Sequence, residues 1–296
     1  FDPLKADLKK PDERLRVAKL LERGHQVRVV GRHSETLAPF VARGAEAFVG
    51  ALDDVALLTQ AFTGADAVYL LLPGDYTAPD MRASQNQMGQ AITTALRTAN
   101  VRYVVNLSSV GAHQPERTGP VLGLHDQEQR LNQLEGVNVL HLRPTFFMEN
   151  LLGNIGVIKG MGVNGSHLAA DVPMPLIATA DIGAVAAQRL LSLDFAGKSA
   201  LELLGPRDYT QHEVTAALGA AIGKPELPYV QFPAAAAIQG MTGAGFSADA
   251  AAKMVELQSG MNDGYVSQGV TRGPQNTTPT TIEEFAPIFA AIYTAG

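Results

Sequence analysis

The sequence contains no cysteine and no tryptophan among its 296 residues. Without cysteine, the chain can form neither disulfide bridges nor thiolate metal sites, and it has no cysteine nucleophile. Aromatic residues make up only 6% of the composition, which argues against a surface that stacks on nucleic-acid bases. The formal net charge of -6 also disfavours a broad binding face for a phosphate backbone.

Long apolar runs are absent as well. None approaches the roughly 18 residues that a membrane-spanning helix needs. Residues 1–14 contain no apolar segment of the kind found in signal peptides. We therefore expect a cytoplasmic protein that does not bind membranes. Hydrophobic residues still amount to 46% of the chain, enough to build a sizeable core without covalent cross-links.

Short β-branched apolar segments alternate with amphipathic ones through the first two thirds of the chain. This pattern predicts helices over residues 15–23, 37–43, 81–99 and 127–134, and strands over residues 27–30, 47–49, 67–72, 103–107 and 138–142. The strand at 67–72 is apolar on both faces, which is typical of a parallel strand covered by helices on both sides. The rhythm predicts an α/β fold with a doubly wound parallel sheet, in which ligands bind at the carboxyl ends of the strands.

The pattern changes after residue 143. Residues 151–175 are rich in glycine and asparagine and predict a loop with short pieces of structure. Residues 181–193 predict a helix capped by Asp181, and residues 201–204 predict a late strand. From residue 205 onward the chain is helical and rich in alanine. We expect one unit over residues 1–150, to which 176–204 return, and a smaller unit formed by residues 151–175 and 205–296.

One glycine motif has the wrong surroundings. Residues 160–165 match G-x-G-x-x-G, the pattern of a dinucleotide-binding turn. That pattern binds phosphate only when it follows a strand and opens a helix whose first amides face the pyrophosphate. The residues that follow contain no helix start. We therefore expect a flexible loop here and no phosphate site.

Three of the predicted strands end in residues suited to a dinucleotide. Arg32 follows strand 27–30, at a position where an acid would accept a ribose 2′-hydroxyl, whereas an arginine suits a 2′-phosphate. This predicts NADP(H) as cofactor, with a plain solvated arginine as the alternative. Leu72 and Pro73 end one further strand, and Ser108 and Ser109 end another. Such small and polar residues let a nicotinamide approach the backbone, although any strand-to-helix turn uses them.

Further candidates surround the same strand ends. Pro144 closes the next strand as a candidate cofactor contact, and Phe146 and Phe147 follow it as a candidate substrate wall or, alternatively, core residues. His125 opens the helix after the Ser108 loop, and both residues are candidates for catalysis. The seven histidines show no metal-binding spacing and no serine lies in a G-x-S-x-G elbow, so we expect neither a metal site nor a serine hydrolase.

Several segments together resemble the NmrA-like group of atypical short-chain dehydrogenase/reductase proteins. They are LLERGHQVRVVGR (20–32), GADAVYLLLP (64–73), VRYVVNLSSVGA (101–112), GVNVLHLRPTFFMENLL (136–152) and PMPLIATADIGAVAAQRLL (173–191). The resemblance runs from about residue 15 to the C-terminus. It implies an NAD(P)-binding Rossmann domain, a small helical C-terminal domain and a substrate cleft between them. It also implies that Arg32 contacts the 2′-phosphate and that the Pro73 and Ser108-Ser109 loops lie near the nicotinamide.

The family contains quinone and isoflavone-type reductases and also non-catalytic sensors of the NADPH/NADP ratio. Reductase-type relatives carry Tyr-x-x-x-Lys, or a lone lysine, on the helix that reads GLHDQEQRLNQL in this chain, where His125 and Glu128 are the nearest candidates. Reducing an ordinary carbonyl requires a proton donor for the basic alkoxide, whereas a reduced quinone is stabilised and water can protonate it. We therefore expect NADPH-dependent reduction of a quinone or related conjugated carbonyl. The alternative is an NADP(H)-binding sensor that acts through a protein partner.

The start of the chain departs further from the family. Relatives open with an apolar strand and a G-x-x-G-x-x-G turn that holds the pyrophosphate, but residues 1–14 include two prolines and no glycine. Three explanations compete: the recorded sequence differs from the true one over this segment, the chain is a variant without the cofactor loop, or the segment forms the strand despite its charges. The first is favoured because the family pattern resumes abruptly at residue 14 with its length preserved.

Overall fold

Strands and helices alternate as the sequence predicts. The computed structural model describes residues 11–295, with side chains from Val17 onward. The strands are β1 (Arg28–Gly31), β2 (Glu46–Val49), β3 (Ala67–Leu71), β4 (Tyr103–Leu107), β5 (Asn138–Pro144), β6 (Phe146–Phe147), β7 (Asn164–Ser166), β8 (Met174–Ile177), β9 (Lys198–Leu203), β10 (Asp208–Tyr209) and β11 (Tyr229–Gln231).

The helices separate these strands in the first half of the chain and dominate the second half. They are α1 (Pro11–Glu22), α2 (Ser34–Val41), α3 (Val55–Phe62), α4 (Met81–Thr98), α5 (Leu122–Asn132), α6 (Ile155–Met161), α7 (Thr179–Ser192), α8 (Gln211–Ala221), α9 (Ala234–Gly243), α10 (Ala248–Asn262) and α11 (Ile282–Ala295). Short 3₁₀ turns cover Gly119–Val121 and Met148–Asn154. In the described part of the chain, no helix is both long enough and apolar enough to cross a bilayer.

The main sheet is parallel and has the strand order β3-β4-β5-β9. Its two faces are both buried: Val104 belongs to a core with α3 and α4, whereas the next residue, Val105, packs on the other face with Ile182 of α7. Successive side chains of a strand point to opposite faces, so helices on both sides require apolar residues at every position. The prediction of an α/β doubly wound fold is confirmed.

The described sheet is divided at one place. Strands β1 and β2 form a separate parallel pair, which Val30 attaches to the same core as β3. Arg28 strengthens the attachment, because its Nη1 donates to the Ala61 and Thr63 carbonyls at 3.1 and 2.6 Å. In a doubly wound sheet the first strand of the domain stands between the strands that correspond to β1 and β3. Our expectations for that strand concern residues 1–14, of which residues 11–14 belong to α1 and residues 1–10 lie outside the described residues.

A second core lies among the C-terminal elements. It joins Met148 and Leu152 from the 3₁₀ turn with Leu218 of α8 and Phe289 of α11. Strand β8 pairs with β6 in parallel and with β10 in antiparallel orientation, so a small sheet links this core to the end of β5. The division into two units with the predicted boundaries stays a prediction, although the separate core supports it.

The N-terminus of α7 differs from the predicted one. The helix begins at Thr179, two residues earlier than expected, and Ala178 occupies the N-cap position. The Glu149 carboxylate replaces a local cap, because Oε1 accepts hydrogen bonds from Thr179 N at 3.1 Å and from Thr179 Oγ1 at 2.6 Å. Asp181 instead accepts from Thr280 N and Oγ1 at 3.1 and 3.0 Å. The predicted capping role of Asp181 is therefore wrong.

Residues 160–165 also differ from the flexible loop that the sequence predicts. Helix α6 ends in this segment, Gly162 closes it with a left-handed φ of 70°, and β7 begins at once. A Cβ on Gly165 would lie 2.6 Å from the ring of Phe232, so only glycine fits at this position of the strand. No helix begins after the motif, hence these glycines serve chain reversal and packing. Elsewhere, α5 begins earlier than predicted, at Leu122, and β9 begins earlier, at Lys198.

A buried histidine stands in the middle of β5. His141 is 2% exposed, and its Nδ1 lies 3.0 Å from Asn106 Nδ2 while its Nε2 lies 3.0 Å from Asn132 Oδ1. The amide nitrogen of Asn106 can only donate, and the carbonyl oxygen of Asn132 can only accept. The neutral ring with its proton on Nε2 therefore fits the two partners. Burial lowers the pKa of His141 to about 4.

This histidine makes the stability depend on pH. The folded protein keeps His141 neutral down to about pH 4, whereas an unfolded histidine takes up a proton below about pH 6.5. The free energy of unfolding should therefore fall as the pH drops from 6.5 towards 4, by about 3 kcal/mol from this group. Urea denaturation at a series of pH values tests this, with His141→Gln as the comparison. Parallel pH profiles for the two proteins would contradict it.

Candidate active site

The loops after β3, β4 and β5 lie together at the carboxyl edge of the main sheet. Hydrogen bonding between the β4 and β5 segments continues past the end of β4. Ser108 N donates to the Leu142 carbonyl of β5 at 2.7 Å, and Val110 N donates to the Pro144 carbonyl at 3.0 Å. Leu72 is buried and Pro73 is half-buried in the neighbouring loop. The sequence-predicted cofactor residues on these three strands thus belong to one edge.

The predicted catalytic serine is held by a buried charge. Ser108 is only 3% exposed, and its hydroxyl donates to Glu128 Oε1 at 2.5 Å. Arg143 of β5 binds the same carboxylate with two hydrogen bonds, Nε to Oε1 at 2.9 Å and Nη2 to Oε2 at 2.6 Å. Its Nη1 also approaches Glu202 of β9 at 3.4 Å. One ion-pair network therefore connects β4, α5, β5 and β9.

The electrostatics keep Glu128 ionised. Burial by itself would raise the pKa of Glu128, but the hydrogen bonds and charge of Arg143, together with the Ser108 hydroxyl, hold it below its ordinary value. The same carboxylate raises the pKa of Arg143 against the opposing effect of burial. A carboxylate in this state accepts hydrogen bonds only. Glu128 is thus no proton donor, and the oxygen of Ser108 has its proton directed away from a substrate.

His125 lies beside the same loop. Its Nδ1 is 2.8 Å from the Ala112 carbonyl, which can only accept, so Nδ1 carries the proton. This leaves Nε2 of the half-buried ring without a hydrogen-bond partner in the described part of the chain. The structure brings His125 near the loop that follows Ser108, but its catalytic role stays a prediction.

Phe146 and Phe147 point in opposite directions. Phe146 packs against the second core, whereas Phe147 packs against the core on the α7 face of the sheet. Both are half-buried, and both pair through β6 with β8. The two rings thus connect the two cores directly after Pro144, which is itself buried. Their role as a substrate wall stays a prediction.

Arg32 lies on the exposed surface after β1, close to the loop that follows β3. Hydrogen bonds from Thr77 are the main cause that lowers the pKa of Asp75, and the charge of Arg32 contributes to the same shift. Among the side chains that the structure describes, from Val17 onward, Arg32 has no ion-pair partner. Its guanidinium is therefore near the strand-end edge and able to contact an anionic group there.

The described edge fits the two ends of a nicotinamide dinucleotide. Thr145 Oγ1, directly after Pro144, is buried and has no hydrogen-bond partner in the described structure. A buried hydroxyl without a partner is costly, and a polar ligand group at this edge would supply one. Thr145, Ser109 and Pro73 would hold the nicotinamide end, and Arg32 would hold the adenosine ribose. The turn that holds the pyrophosphate in the family would precede Pro11, outside the described residues.

The C-terminal helices cover part of this edge. Ser247 N, at the start of α10, donates to the Tyr76 carbonyl at 2.9 Å, and Met81 N donates to Asp249 Oδ2 at 2.9 Å. On the next loop, His113 Nε2 lies 3.0 Å from the Gln268 carbonyl. These contacts cover the loops after β3 and β4 from one side.

Sequence reasoning missed both the Glu128–Arg143 pair and the role of the Tyr76 loop. For the pair a signal was available, because Arg143 places a charge in a strand that has no other formal charge, and a charge within a buried strand requires a partner. The identity of that partner could not be read from the sequence. Nothing in the local pattern around Tyr76 separates it from other turn residues.

The buried pair should dominate local stability. Glu128→Gln leaves Arg143 without its main counter-charge, and we expect it to lower the free energy of unfolding by about 3 kcal/mol. Replacing both residues, as Glu128→Gln with Arg143→Met, should cost less than the single change. Glu202→Gln is the matched control, and it should cost under about 1 kcal/mol because that contact is more exposed. Chemical denaturation measures all three, and equal losses for Glu128→Gln and Glu202→Gln would contradict the assignment.

Comparison with known proteins agrees with this geometry. The family model for NAD(P)H-binding domains matches residues 14–190. The chain is 33% identical to an NAD(P)H azoreductase of Xenophilus azovorans over 258 residues, which is 86% of each chain. Its fold is similar to that of an NADPH-dependent quinone oxidoreductase from Escherichia coli complexed with NADPH, with a TM-score of 0.71 and 19% identity over 92% of this chain and 94% of that one.

A second solved structure, the triphenylmethane reductase of a Citrobacter species complexed with NADP(H), gives a TM-score of 0.72 with 15% identity over 93% of this chain and 95% of that one. The predicted nicotinamide dinucleotide cofactor is confirmed, and so is the prediction of an NAD(P)H-dependent oxidoreductase. The alternative of a non-catalytic sensor is not favoured. The chain belongs to the NAD(P)H-binding family.

Proposed function

We propose that this protein uses NADPH to reduce a quinone or a closely related conjugated acceptor, without a protein proton relay. One observation carries the proposal: the Ser108 hydroxyl donates to the Glu128 carboxylate, which Arg143 keeps ionised. The helix α5 that contains Glu128 has neither tyrosine nor lysine. The Glu128 carboxylate only accepts hydrogen bonds and the Ser108 hydroxyl donates to it, so neither group is an acid of the kind an alkoxide requires.

The chemistry of the acceptor follows from that arrangement. Hydride addition to an isolated ketone forms a strongly basic alkoxide, which requires an acid in the transition state. Hydride addition to a quinone forms a hydroquinone anion whose charge is delocalised, and water can protonate it. The azoreductase and quinone oxidoreductase named above are both reductases of conjugated acceptors by name. This supports an extended, electron-poor acceptor for the present chain too.

When bound, the cofactor supplies the hydride, and the chain supplies position and environment. Arg32 binds the 2′-phosphate, which selects NADPH over NADH. The loops of Pro73 and Ser109 and the hydroxyl of Thr145 orient the nicotinamide end. Phe146 and Phe147, half-buried after Pro144, border the acceptor side. His125 offers Nε2 as a further hydrogen-bonding group near the Ser108 loop.

The expected partner is a small molecule. A net charge of -6 disfavours nucleic acid, and the cleft between the two units is the kind of site that takes a small ligand. We also propose a cytoplasmic location, where NADPH is available, and no membrane association. A protein partner would be expected only of a sensor.

An acceptor series tests the reaction class. We expect NADPH to be oxidised by benzoquinones and naphthoquinones, and little or not at all by aliphatic ketones or sugars. The reaction is monitored through the loss of the absorbance of reduced nicotinamide at about 340 nm. Azo dyes are a useful third group because their acceptor bond is also conjugated. Equal or faster turnover of aliphatic ketones would contradict the proposal, since such substrates need the missing proton donor.

Arg32→Glu tests the cofactor preference. Losing an arginine–phosphate pair should reduce kcat/KM for NADPH about 10- to 100-fold, because charge-assisted hydrogen bonds are strong. The kcat/KM for NADH should change little, so the preference for NADPH over NADH should become smaller or reverse. Arg97→Glu, at the exposed end of α4, makes the same charge change at the opposite edge of the sheet and serves as control. Equal losses with both cofactors would remove Arg32 from the 2′-phosphate site.

A further inference from the structure

Tyr76 stands out on the loop that follows β3. It is a large aromatic residue with 42% of its surface exposed, although it lies at the edge where the cofactor and acceptor are expected. Exposed aromatic residues on ordered loops beside a binding cleft are frequent contacts for ligands. The loop belongs to the carboxyl edge of the main sheet, and the proposed reaction gives this side chain no role.

The side chain folds back over the Pro73-Gly74 turn. A Cβ placed on Gly74 would lie 3.6 Å from Tyr76 Cζ and 3.8 Å from its hydroxyl oxygen. The phenol therefore sits directly above the turn that borders the nicotinamide end of the site. A methyl group at position 74 would make only ordinary contact with Tyr76 but would lie 2.3 Å from Met81 Cε.

The C-terminal unit supports the ring from the other side. The centroids of the Tyr76 and Phe246 rings are 5.0 Å apart with an interplanar angle of 42°. The Tyr76 carbonyl accepts a hydrogen bond from Ser247 N at 2.9 Å. The two rings thus form one aromatic surface that spans the cleft between the loop after β3 and the start of α10.

The loop around Tyr76 is firmly held. The Asp75 carboxylate accepts hydrogen bonds from Thr77 N at 3.0 Å and from Thr77 Oγ1 at 2.7 Å. Asp249 of α10 accepts from Met81 N at 2.9 Å and forms an ion pair with Lys253. Hydrogen bonds therefore fix the backbone on both sides of Tyr76, which lowers the cost of ordering this loop around a ligand.

The hydroxyl remains available for a ligand. It makes no hydrogen bond within the part of the chain that the structure describes. The neighbouring protein groups desolvate the phenol and raise its pKa above the ordinary value. The phenol is therefore protonated at neutral pH and can donate a hydrogen bond.

We propose that Tyr76 determines acceptor specificity: its ring, together with Phe246, contacts the face of an aromatic quinone, and its hydroxyl donates a hydrogen bond to a quinone carbonyl. The inference rests on the proposed function and deepens it by naming the residue that recognises the acceptor. No proton is transferred from Tyr76 in this role. The hydrogen bond orients the quinone for the reaction.

Three substitutions separate the contribution of the aromatic ring to quinone binding from that of the hydroxyl. Tyr76→Phe keeps the ring and removes the hydroxyl, and should raise the KM and Kd for 2-methyl-1,4-naphthoquinone about tenfold. Tyr76→Leu removes both and should raise them further, to roughly 50-fold. Phe246→Leu should give an intermediate loss. Tyr293→Phe, on α11 in the second core, is the matched control and should leave both values unchanged.

Binding and turnover are measured separately. Calorimetric titration of naphthoquinone into the NADP⁺-saturated protein gives Kd, and NADPH fluorescence gives cofactor affinity, which should not change in the Tyr76 variants. A purely structural role would instead weaken cofactor binding and lower the thermal midpoint together with acceptor affinity.

The outcomes distinguish this inference from the proposed function. If the wild-type protein binds naphthoquinone but does not oxidise NADPH with it, the proposed reaction fails, and the Kd values of the variants still decide the role of Tyr76. If naphthoquinone does not bind, or if Tyr76→Phe and Tyr76→Leu keep wild-type affinity for it, the inference is overturned. Losses in the expected order with unchanged NADPH affinity support it.

Discussion

The carboxylate of Glu128 is the charge on which the carboxyl edge of the sheet depends. It is almost fully buried, and an ionised carboxyl in such a place is tolerated only when it is paired and hydrogen-bonded. Arg143 and Ser108 provide these bonds from two adjacent strands. The arrangement is reciprocal, since Arg143 is also mostly buried and needs the carboxylate. Through this one group, the loop after β4 acquires a fixed position relative to β5 and α5.

The same pairing restricts the chemistry. A serine whose proton is directed to a carboxylate, and a carboxylate held ionised by an arginine, cannot act as acids. In a family whose cofactor supplies the hydride, the remaining question is which acceptors tolerate the lack of an acid. Conjugated acceptors do, because their reduced forms are stabilised anions. The stability of the fold and the proposed choice of substrate therefore have a common cause in the buried pair.

The C-terminal segment contacts the carboxyl edge of the sheet through the loops that follow β3 and β4. Phe146 and Phe147 connect the two cores, and α10 holds the Tyr76 loop through backbone hydrogen bonds. Loops of this kind carry specificity in α/β enzymes because the sheet beneath them is rigid while their own residues vary freely. An acceptor bound here would touch residues that are far apart in the chain. Differences in acceptor choice among relatives are therefore expected in these loops.

The local pattern of the sequence determined most of the secondary structure and the class of fold. Alternating apolar segments of strand and helix length are enough to predict a parallel sheet covered on both faces, and the strand-end positions of Arg32, Pro73, Ser108 and Pro144 follow from that topology. Helix ends were less predictable. The cap of α7 comes from Glu149, 30 residues away, so local preference at Asp181 could not reveal it.

Only the tertiary structure decided which polar groups meet. Arg143 pairs with Glu128, which is 15 residues away in the sequence, and Met81 N donates to Asp249, which is 168 residues away. Such pairs depend on how the crossover helices and the C-terminal segment pack against the sheet. The periodicity of the sequence does not indicate which side chains become neighbours in space. The apolar pattern determined where the carboxyl edge would be, because burial acts on each segment separately. The ionisation state and the aromatic surface at that edge were decided by packing between distant segments, because a charge or a ring takes its properties from what surrounds it.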